Sequence, residues 1–474
     1  MPEPEPRSAW MRWLERPTPS TGLAAFRILF GALMLLSVAR FWARGWIDEL
    51  YIDPSFHFTY LGFGWVRPWP AWGMALHFAV MGAAALALML GAYTRWSAAL
   101  FLLTFTYAEL LEKAAYLNHY YLVSLLALLL VVVPAGATWS VDAWRRGDRP
   151  TVGRWAYVLL RAQVAVVYVF AGLAKLDGDW LLRAEPLRTW LSAHADLPLV
   201  GALLTTSAAA YAMSWGGMLY DLSIVAWLSW RPTRRVAYLV SIFFHVSLWI
   251  LFPIGVFSWV MLASATLFFD PAWPQRLVAR LRTRAPSRGS SPSDRPGRLH
   301  PVAVGLGATY LLVQVVLPCR HVLHPGAVNW TEQGYRFAWR VMLIEKTGQV
   351  EYEVFIGDEA RFMVHPRREL TTLQYRMMST QPDMIHEYAL ALAERYRERG
   401  HDHVRVHAHA WAALNGRPSQ RLIDPSVDLA SQPRSLRTAP WIVPLQDHGS
   451  EVRPRGHASA PTRRSLPPRS LPQR

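Results

Sequence analysis

The chain has 474 residues, 52% of them hydrophobic and only 17% charged, with 23 tryptophans and a formal net charge of +16. Soluble domains carry about 25% charged residues, so this balance points to a membrane protein, and the single cysteine, Cys319, excludes an internal disulfide framework. The basic residues lie in short loops between apolar runs and in the tail rather than on one folded face, which argues against a nucleic-acid partner and for a lipid bilayer.

The first twenty residues show no cleavable leader. With Pro2, Pro4, Pro6, Arg7, Arg12 and Arg16 they read as a short cytoplasmic arm. About nine apolar segments follow: Gly22–Ala39, Gly73–Leu90, Ser97–Leu111, Tyr120–Val133, Trp155–Ala174, Tyr211–Trp230, Val236–Leu251, Ile254–Phe269 and Val302–Leu317. The third, fourth and eighth are short, and Leu197–Ala210 is an ambiguous extra piece.

Arginine placement orients these segments. The even-numbered gaps carry Arg95; then Arg145, Arg146, Arg149 and Arg154; then Arg231, Arg234 and Arg235; then Arg276, Arg280, Arg282, Arg284 and Arg288. The odd gaps are poorer in base or balanced by acid, as Arg40, Arg44 and Arg67 are by Asp48, Glu49 and Asp53. The positive-inside rule then puts the N-terminus in the cytoplasm and the C-terminal part outside.

Beyond Pro318 the pattern changes. Gln349–Phe355 alternates like a strand, Met384–Arg399 reads as an amphipathic helix, and His403–Ala410 alternates again. The stretches Arg284–Arg298 and Gly449–Arg474 are rich in Pro, Ser and Arg and are expected to be disordered. The expected fold is an α-helical polytopic membrane protein of about eight to nine transmembrane helices with a small extracytoplasmic α+β domain. Its parts are an arm at 1–20, a transmembrane domain at 21–318, a β-rich domain at 319–446 and a basic tail at 447–474.

The residue that most needs explaining is Lys175, which closes the fifth apolar run beside Asp177, Asp179 and Trp180. An ionisable group at the edge of lipid is costly and marks a functional candidate. Arg161, Tyr168 and Lys175 recur at a spacing of seven, nearly two helical turns, so they form a polar stripe on one face. Gly172, near that face, allows close approach of a ligand or helix. The alternative is that Lys175 snorkels to the headgroups while Tyr168 packs between helices.

Glu112, Lys113, Asn118, His119 and His245 map to the same outer side, and Asp221 falls near mid-membrane. Together they predict a polar cavity opening outward, because buried charges need partners. Each has a plainer reading as a cap, a snorkelling charge or an interhelical hydrogen bond, and for Arg27 a structural ion pair suffices. His403, His407 and His409 share one strand face with Arg405 among them. That arrangement is read as an exposed polar face and not as a metal site. Asn329-Trp-Thr331 fits a glycosylation acceptor, a motif frequent by chance.

Several motifs in order resemble one family. They are Phe26-Arg-Ile-Leu-Phe-Gly31, Asn118-His119, Trp139-Ser-Val-Asp142, Arg161 with Gln163, Tyr168, and Ala171-Gly-Leu-Ala-Lys-Leu-Asp-Gly-Asp-Trp180. Further on come Asp221-Leu-Ser, Phe244-His245, Phe257-Ser-Trp-Val-Met-Leu-Ala-Ser264, Asn329-Trp-Thr331 and Asp424-Pro-Ser-Val-Asp428. From Phe26 to Leu445 the chain resembles vitamin K-dependent gamma-glutamyl carboxylase and its bacterial relatives, which share the HTTM domain. The resemblance implies a lyase with an epoxidase half-reaction in a bacterial inner membrane.

It implies that Lys175 deprotonates reduced vitamin K, of the phylloquinol or menaquinol type. Oxygenation of the quinol by O2 then yields a stronger base that takes the γ-proton of a glutamate in a protein or peptide. The carbanion adds CO2, and the vitamin leaves as its epoxide. By the same resemblance Asn118 and His119 act beside the quinol. Tyr168, Arg161, His245, Asp221 and Gly172, drawn from the polar stripe and the outward cavity, are expected to bind it, and no metal is called for.

A free lysine is protonated at neutral pH, so burial must favour its neutral form, and Asp177 and Asp179 must point away or pair elsewhere. Two positions differ from animal members: Ala174 replaces a lysine, and Ile344 replaces a histidine five residues after the tryptophan matching Trp339. The chain also ends soon after Leu445, without their long lumenal extension. Two further readings therefore stand beside carboxylation: quinol oxygenation alone, and a non-enzymatic scaffold or transporter. A transporter would favour inverted repeats, and no convincing repeat is evident.

Overall fold

A computed structural model describes residues 8–281, 298–357 and 360–446. The expected disordered tail, and most of the Arg284–Arg298 loop, lie outside the described residues.

Each of the nine apolar segments falls on a helix. These are α1 (Thr21–Ala43), α2 (Ala71–Leu90), α3 (Thr94–Leu111), α4 (Asn118–Val132), α5 (Trp155–Ala174), α6 (Ser207–Ser229), α7 (Arg234–Leu251), α8 (Phe257–Ala265) and α9 (Pro301–Cys319). Among the described residues five are long and apolar enough to cross a membrane: α1, α2, α5, α7 and the α9 stretch Pro301–Leu323. The eight or nine spans expected from composition therefore reduce to five that meet both criteria. α3 and α6 are long enough but fall short in apolarity, whereas α4 and α8 are apolar but short. α8 rises only about 14 Å at 1.5 Å per residue.

Helices α1 to α4 pack in sequence order, and α5 packs on α6, α6 on α7 and α7 on α8. α9 buries little but Gln314 and Pro318, so polar contacts fix it to the bundle. Tyr310 donates to Gln163 Oε1 of α5 at 2.6 Å, and Tyr121 of α4 donates to Gln314 Oε1 at 3.3 Å. Such interhelical hydrogen bonds hold helices together where apolar burial offers little preference. The N-terminal arm is described from residue 8. It carries a short helix, Ala9–Leu14, and a strand β1 (Pro17–Pro19) paired with β2 (Thr151–Gly153).

The C-terminal domain is an antiparallel sheet in the order β4-β3-β5-β6, comprising β3 (Lys346–Ile356), β4 (Ala360–Val364), β5 (Val404–Leu414) and β6 (Gln420–Arg421). Alternation sets its inner face: Val404, Val406, Ala408, Ala410 and Ala412 are buried against Met384, Ile385, Tyr388 and Leu392. The latter four lie on α11 (Pro382–Arg397), which follows α10 (Thr372–Met378). Arg405, His407 and His409 take the outer face. His407 Nδ1 contacts Pro425 O at 2.8 Å and His409 Nε2 contacts Glu353 at 3.2 Å, so each ring has its own partner. Asn329 is buried and accepts a hydrogen bond from Arg340, in keeping with a chance occurrence of the glycosylation motif.

Charged residues that the sequence places beside an outward cavity instead seal the two domains together. Lys113 pairs with Asp383 at 2.9 Å and Glu387 at 2.7 Å, and Arg434 reaches Glu387 at 3.0 Å. Glu112 accepts from Ala114 N at 2.8 Å and from Gln374 Nε2 at 2.7 Å. Burial pushes the Glu112 carboxyl up to about 7, against those hydrogen bonds, which lower it. The folded state thus prefers the protonated acid. Its contribution to stability is full below the unfolded value and is lost as pH rises through about 7. Glu112→Gln is expected to raise the melting temperature at pH 8, recovering at most about 3 kcal/mol, and to change little at pH 4. Thermal melts in detergent at both pH values check this.

Candidate functional site

The C-terminal end of α5 carries Lys175, and Gly172 one turn earlier sets how near α6 can lie. A Cβ on Gly172 would come within 2.7 Å of the Leu222 side chain and 2.9 Å of its backbone nitrogen. That close crossing brings Asp221 of α6 to Lys175: Nζ donates to Oδ2 at 2.7 Å and to Ala171 O at 3.3 Å. Both side chains are buried, and the Trp180 ring lies 5.3 Å from the ammonium. Gly172 therefore serves the close approach of a helix, one of the two uses expected of it, and is not among the residues lining the cavity. Gly172→Ala is expected to push α6 outward and lengthen the Lys175–Asp221 contact. Stability should fall by about 1–3 kcal/mol, and turnover by about tenfold or more from misplacement of the pair. Turnover and thermal melts measured on the same preparation separate these effects.

The two carboxylates near Lys175 in sequence point elsewhere. Asp177 caps the short helix Gly178–Arg183 by accepting from Asp179 N at 2.9 Å. Asp179 receives Arg417 at 2.6 and 2.7 Å and Asn415 at 3.0 Å, so it ties the motif to the C-terminal domain. Burial raises its pKa, but the hydrogen bonds and charge of Arg417 outweigh that and hold it below the usual carboxylate range. The carboxylate on Lys175 comes instead from Asp221, 46 positions away, a pairing that the sequence did not reveal.

Lys175 and Asp221 open into a cavity of about 670 Å³ also lined by Tyr168, Tyr220, His245 and Phe257. Tyr168 OH lies 3.0 Å from His245 Nε2 and 3.5 Å from Tyr220 OH, and His245 Nδ1 is buried with no protein partner. Most of the remaining lining is apolar, and it includes Phe243, which is 76% exposed on a helix long enough to span. Part of the cavity wall is therefore exposed on α7, one of the helices long and apolar enough to cross a membrane. Val341 and Met342 of the C-terminal region close its outer end.

Four predicted site residues thus share one chamber: Lys175, Asp221, Tyr168 and His245. Besides Gly172, three others do not line it. Arg161 donates to Leu267 O at 2.7 Å and Phe269 O at 3.2 Å, satisfying carbonyls left open where the α8 segment ends. It lies two turns below Tyr168, too deep for the chamber. Asn118 accepts from Tyr116 OH at 2.9 Å and donates to Arg340 O at 3.1 Å, at the seam between the domains. His119 is buried behind Phe257, with ring centres 5.7 Å apart, and its Nε2 has no partner. Sequence reading missed Tyr220 and the Val341–Met342 closure. Tyr220 stands next to Asp221, a signal within reach; the closure comes from a distant segment and left none.

Chemically, the chamber offers an amine and a carboxylate able to exchange one proton, a tyrosine–histidine pair, and apolar walls that exclude water. The family model of the HTTM domain matches residues 15–273, more than half of the chain. That of the lumenal domain of vitamin K-dependent gamma-carboxylase matches residues 299–448. No solved structure matches the chain. The apolar helices mark a membrane protein, and the lumenal match puts the C-terminal region on the extracytoplasmic side. Matched in both parts and in their order, the chain belongs to the vitamin K-dependent gamma-carboxylase family, whose domains support a carboxylase-like function.

Proposed function

We propose that the chain couples oxygenation of a vitamin K-type hydroquinone to carboxylation of glutamate, with Lys175 as the base toward the quinol. The observation that carries this reading is a buried amine 2.7 Å from a carboxylate in an apolar chamber. A quinol of the phylloquinol or menaquinol type supplies, with O2, the base strong enough to free the γ-carbon of glutamate for CO2. Its fit is supported by the chamber's size, which is within the usual range for small-molecule sites, by the exposed wall on α7, and by the unpartnered Nδ1 of His245.

Lys175 can accept a proton only as a neutral amine. Asp221 provides that form: one proton moved across their contact leaves a neutral amine and a neutral acid. The weakly polar chamber narrows the advantage of the charged pair, because burying separated charge is costly. Tyr168 and His245 orient the ring by hydrogen bonding to a quinol oxygen. Asn118 and His119 act as positioning residues through Arg340 and Phe257. Exclusion of water protects the glutamate carbanion until CO2 adds. The arginine-rich gaps support a cytoplasmic N-terminus in a bacterial inner membrane.

Oxygenation without carboxylation is the second reading. Ile344, apolar where animal members carry histidine, favours it. Purified protein in detergent, given reduced vitamin K, O2, a glutamate peptide and labelled bicarbonate, should yield both epoxide and labelled peptide. Epoxide without label would leave oxygenation alone. Absence of both products would overturn the enzyme reading.

A further inference from the structure

A second large concavity lies in the C-terminal domain, about 730 Å³, lined by Lys346, Thr347, Gly348, Arg367, Tyr375 and Arg376 among others. Its wall is a strand edge. β3 pairs with β5 along all of Lys346–Ile356, but with β4 only over Tyr352–Ile356. Among the described residues no strand lies beside the edge from Lys346 to Glu351. Val350 N donates to Tyr375 OH at 3.2 Å, so even-numbered residues aim their main chain away from β5. Lys346 and Gly348 therefore direct N–H and C=O groups into the groove. Beneath them, a Cβ on Gly348 would come within 2.1 Å of Ser379 O, so the glycine lets the strand sit directly on the floor.

The charge on the groove is uneven. Lys346 is neutralised by Glu332 at 3.0 Å, and Glu345 holds the Trp190 indole N–H. Arg367 and Arg376 are exposed, and no carboxylate pairs with either among the described residues. Arg367 lies 4.5 Å over the Tyr375 ring. Along this open edge the Val350 N–H is held by Tyr375, and the Lys346 and Gly348 main chain faces the groove. Such an edge with a basic rim fits an extended acidic chain, because added strands bind through the main chain while side-chain charge selects the sequence.

The groove also adjoins the chamber. Val341 and Met342 line the chamber, whereas Ile344 and Glu345 line the groove, so one short segment is wall to both. In that stretch Phe337, Trp339 and Met342 have φ of 61°, 57° and 60°, a left-handed backbone rare for such side chains and concentrated at functional sites.

We propose that the open edge of β3 docks an extended, glutamate-bearing segment of the protein substrate as an added strand, presenting it across the 341–345 wall from Lys175. The identity of the occupant rests on the carboxylase reading. The test uses the full chain in detergent and fluorescence anisotropy with a labelled peptide alternating Glu and Thr, compared with Gln and Lys counterparts. The Glu peptide should bind about tenfold or more tightly than the Gln peptide, and the exposed charge reversal R367E/R376E should remove that preference. N-methylation of alternate peptide amides should weaken binding about tenfold in one parity and little in the other, the signature of a strand ladder. Equal binding of Glu and Gln peptides, preference for Lys, or indifference to methylation parity would each overturn the proposal. Quinol oxidation assayed without peptide on the same preparation reports on the chamber alone. Active protein that binds no peptide therefore refutes the docking edge and not the proposed function.

Discussion

Replacing the buried pair with Lys175→Met/Asp221→Leu is expected to lower quinol oxidation by about 10²–10⁴-fold, the usual contribution of a general base, while leaving the fold intact. The double change is more informative than Lys175→Ala. Removing only the amine strands a buried carboxylate and costs several kcal/mol, about 3–5 by analogy with other broken buried pairs. An apolar pair of similar volume avoids that cost. Loss of turnover with an unchanged melt then assigns the loss to chemistry. Asp221→Asn probes the pair from the other side. It leaves Lys175 without the acceptor that gives the neutral amine, so quinol oxidation should fall as in the double variant. Turnover persisting in the double variant would refute Lys175 as the base. Undiminished turnover in Asp221→Asn would refute the proton exchange with Asp221.

Much of this architecture was legible in the sequence because it is periodic. The alternation through His403–Ala410 marks β5, and the helical pattern of Met384–Arg399 marks α11, with both boundaries within a few residues. The spacing of seven placed Tyr168 and Lys175 on one face, and they do share the chamber. Extending that stripe to Arg161 failed because chamber depth, not helix face, decides membership. Asp221 was visible as a buried charge, but its partner is set by the approach of α6 at Gly172, which no local pattern encodes. Glu112 and Lys113 were assigned to the same cavity because they lie on the same side of the membrane. Their long-range partners stand on α10 for Glu112 and on α11 for Lys113, more than 260 positions away. A signal for this existed: Asp383 and Glu387 are four apart and share one face of a predicted helix, an acidic pair requiring a cation.

That acidic pair leads to the second large effect. Lys113→Met is expected to destabilise the domain seam by about 3 kcal/mol, the lower end of what breaking a buried ion pair costs. Lys113 and Glu387 are nearly inaccessible, with side chains 3% and 6% exposed, and Glu387 Oε2 is held by Lys113 at 2.7 Å. Arg434 and Thr59 remain on Oε1 at 3.0 and 2.8 Å, which keeps the loss from being larger. Asp383 is different. Its side chain is 47% exposed and Arg336 also holds it at 2.7 Å, so Asp383→Asn should cost only about 1 kcal/mol, as for a solvent-screened pair. Thermal melts of the two variants, with limited proteolysis of the C-terminal domain, distinguish them. Because the segment that closes the chamber at Val341 and Met342 belongs to the docked domain, Lys113→Met should also lower quinol oxidation without touching Lys175. A Lys113→Met protein that melts and turns over like the parent would show that the seam does not depend on this pair.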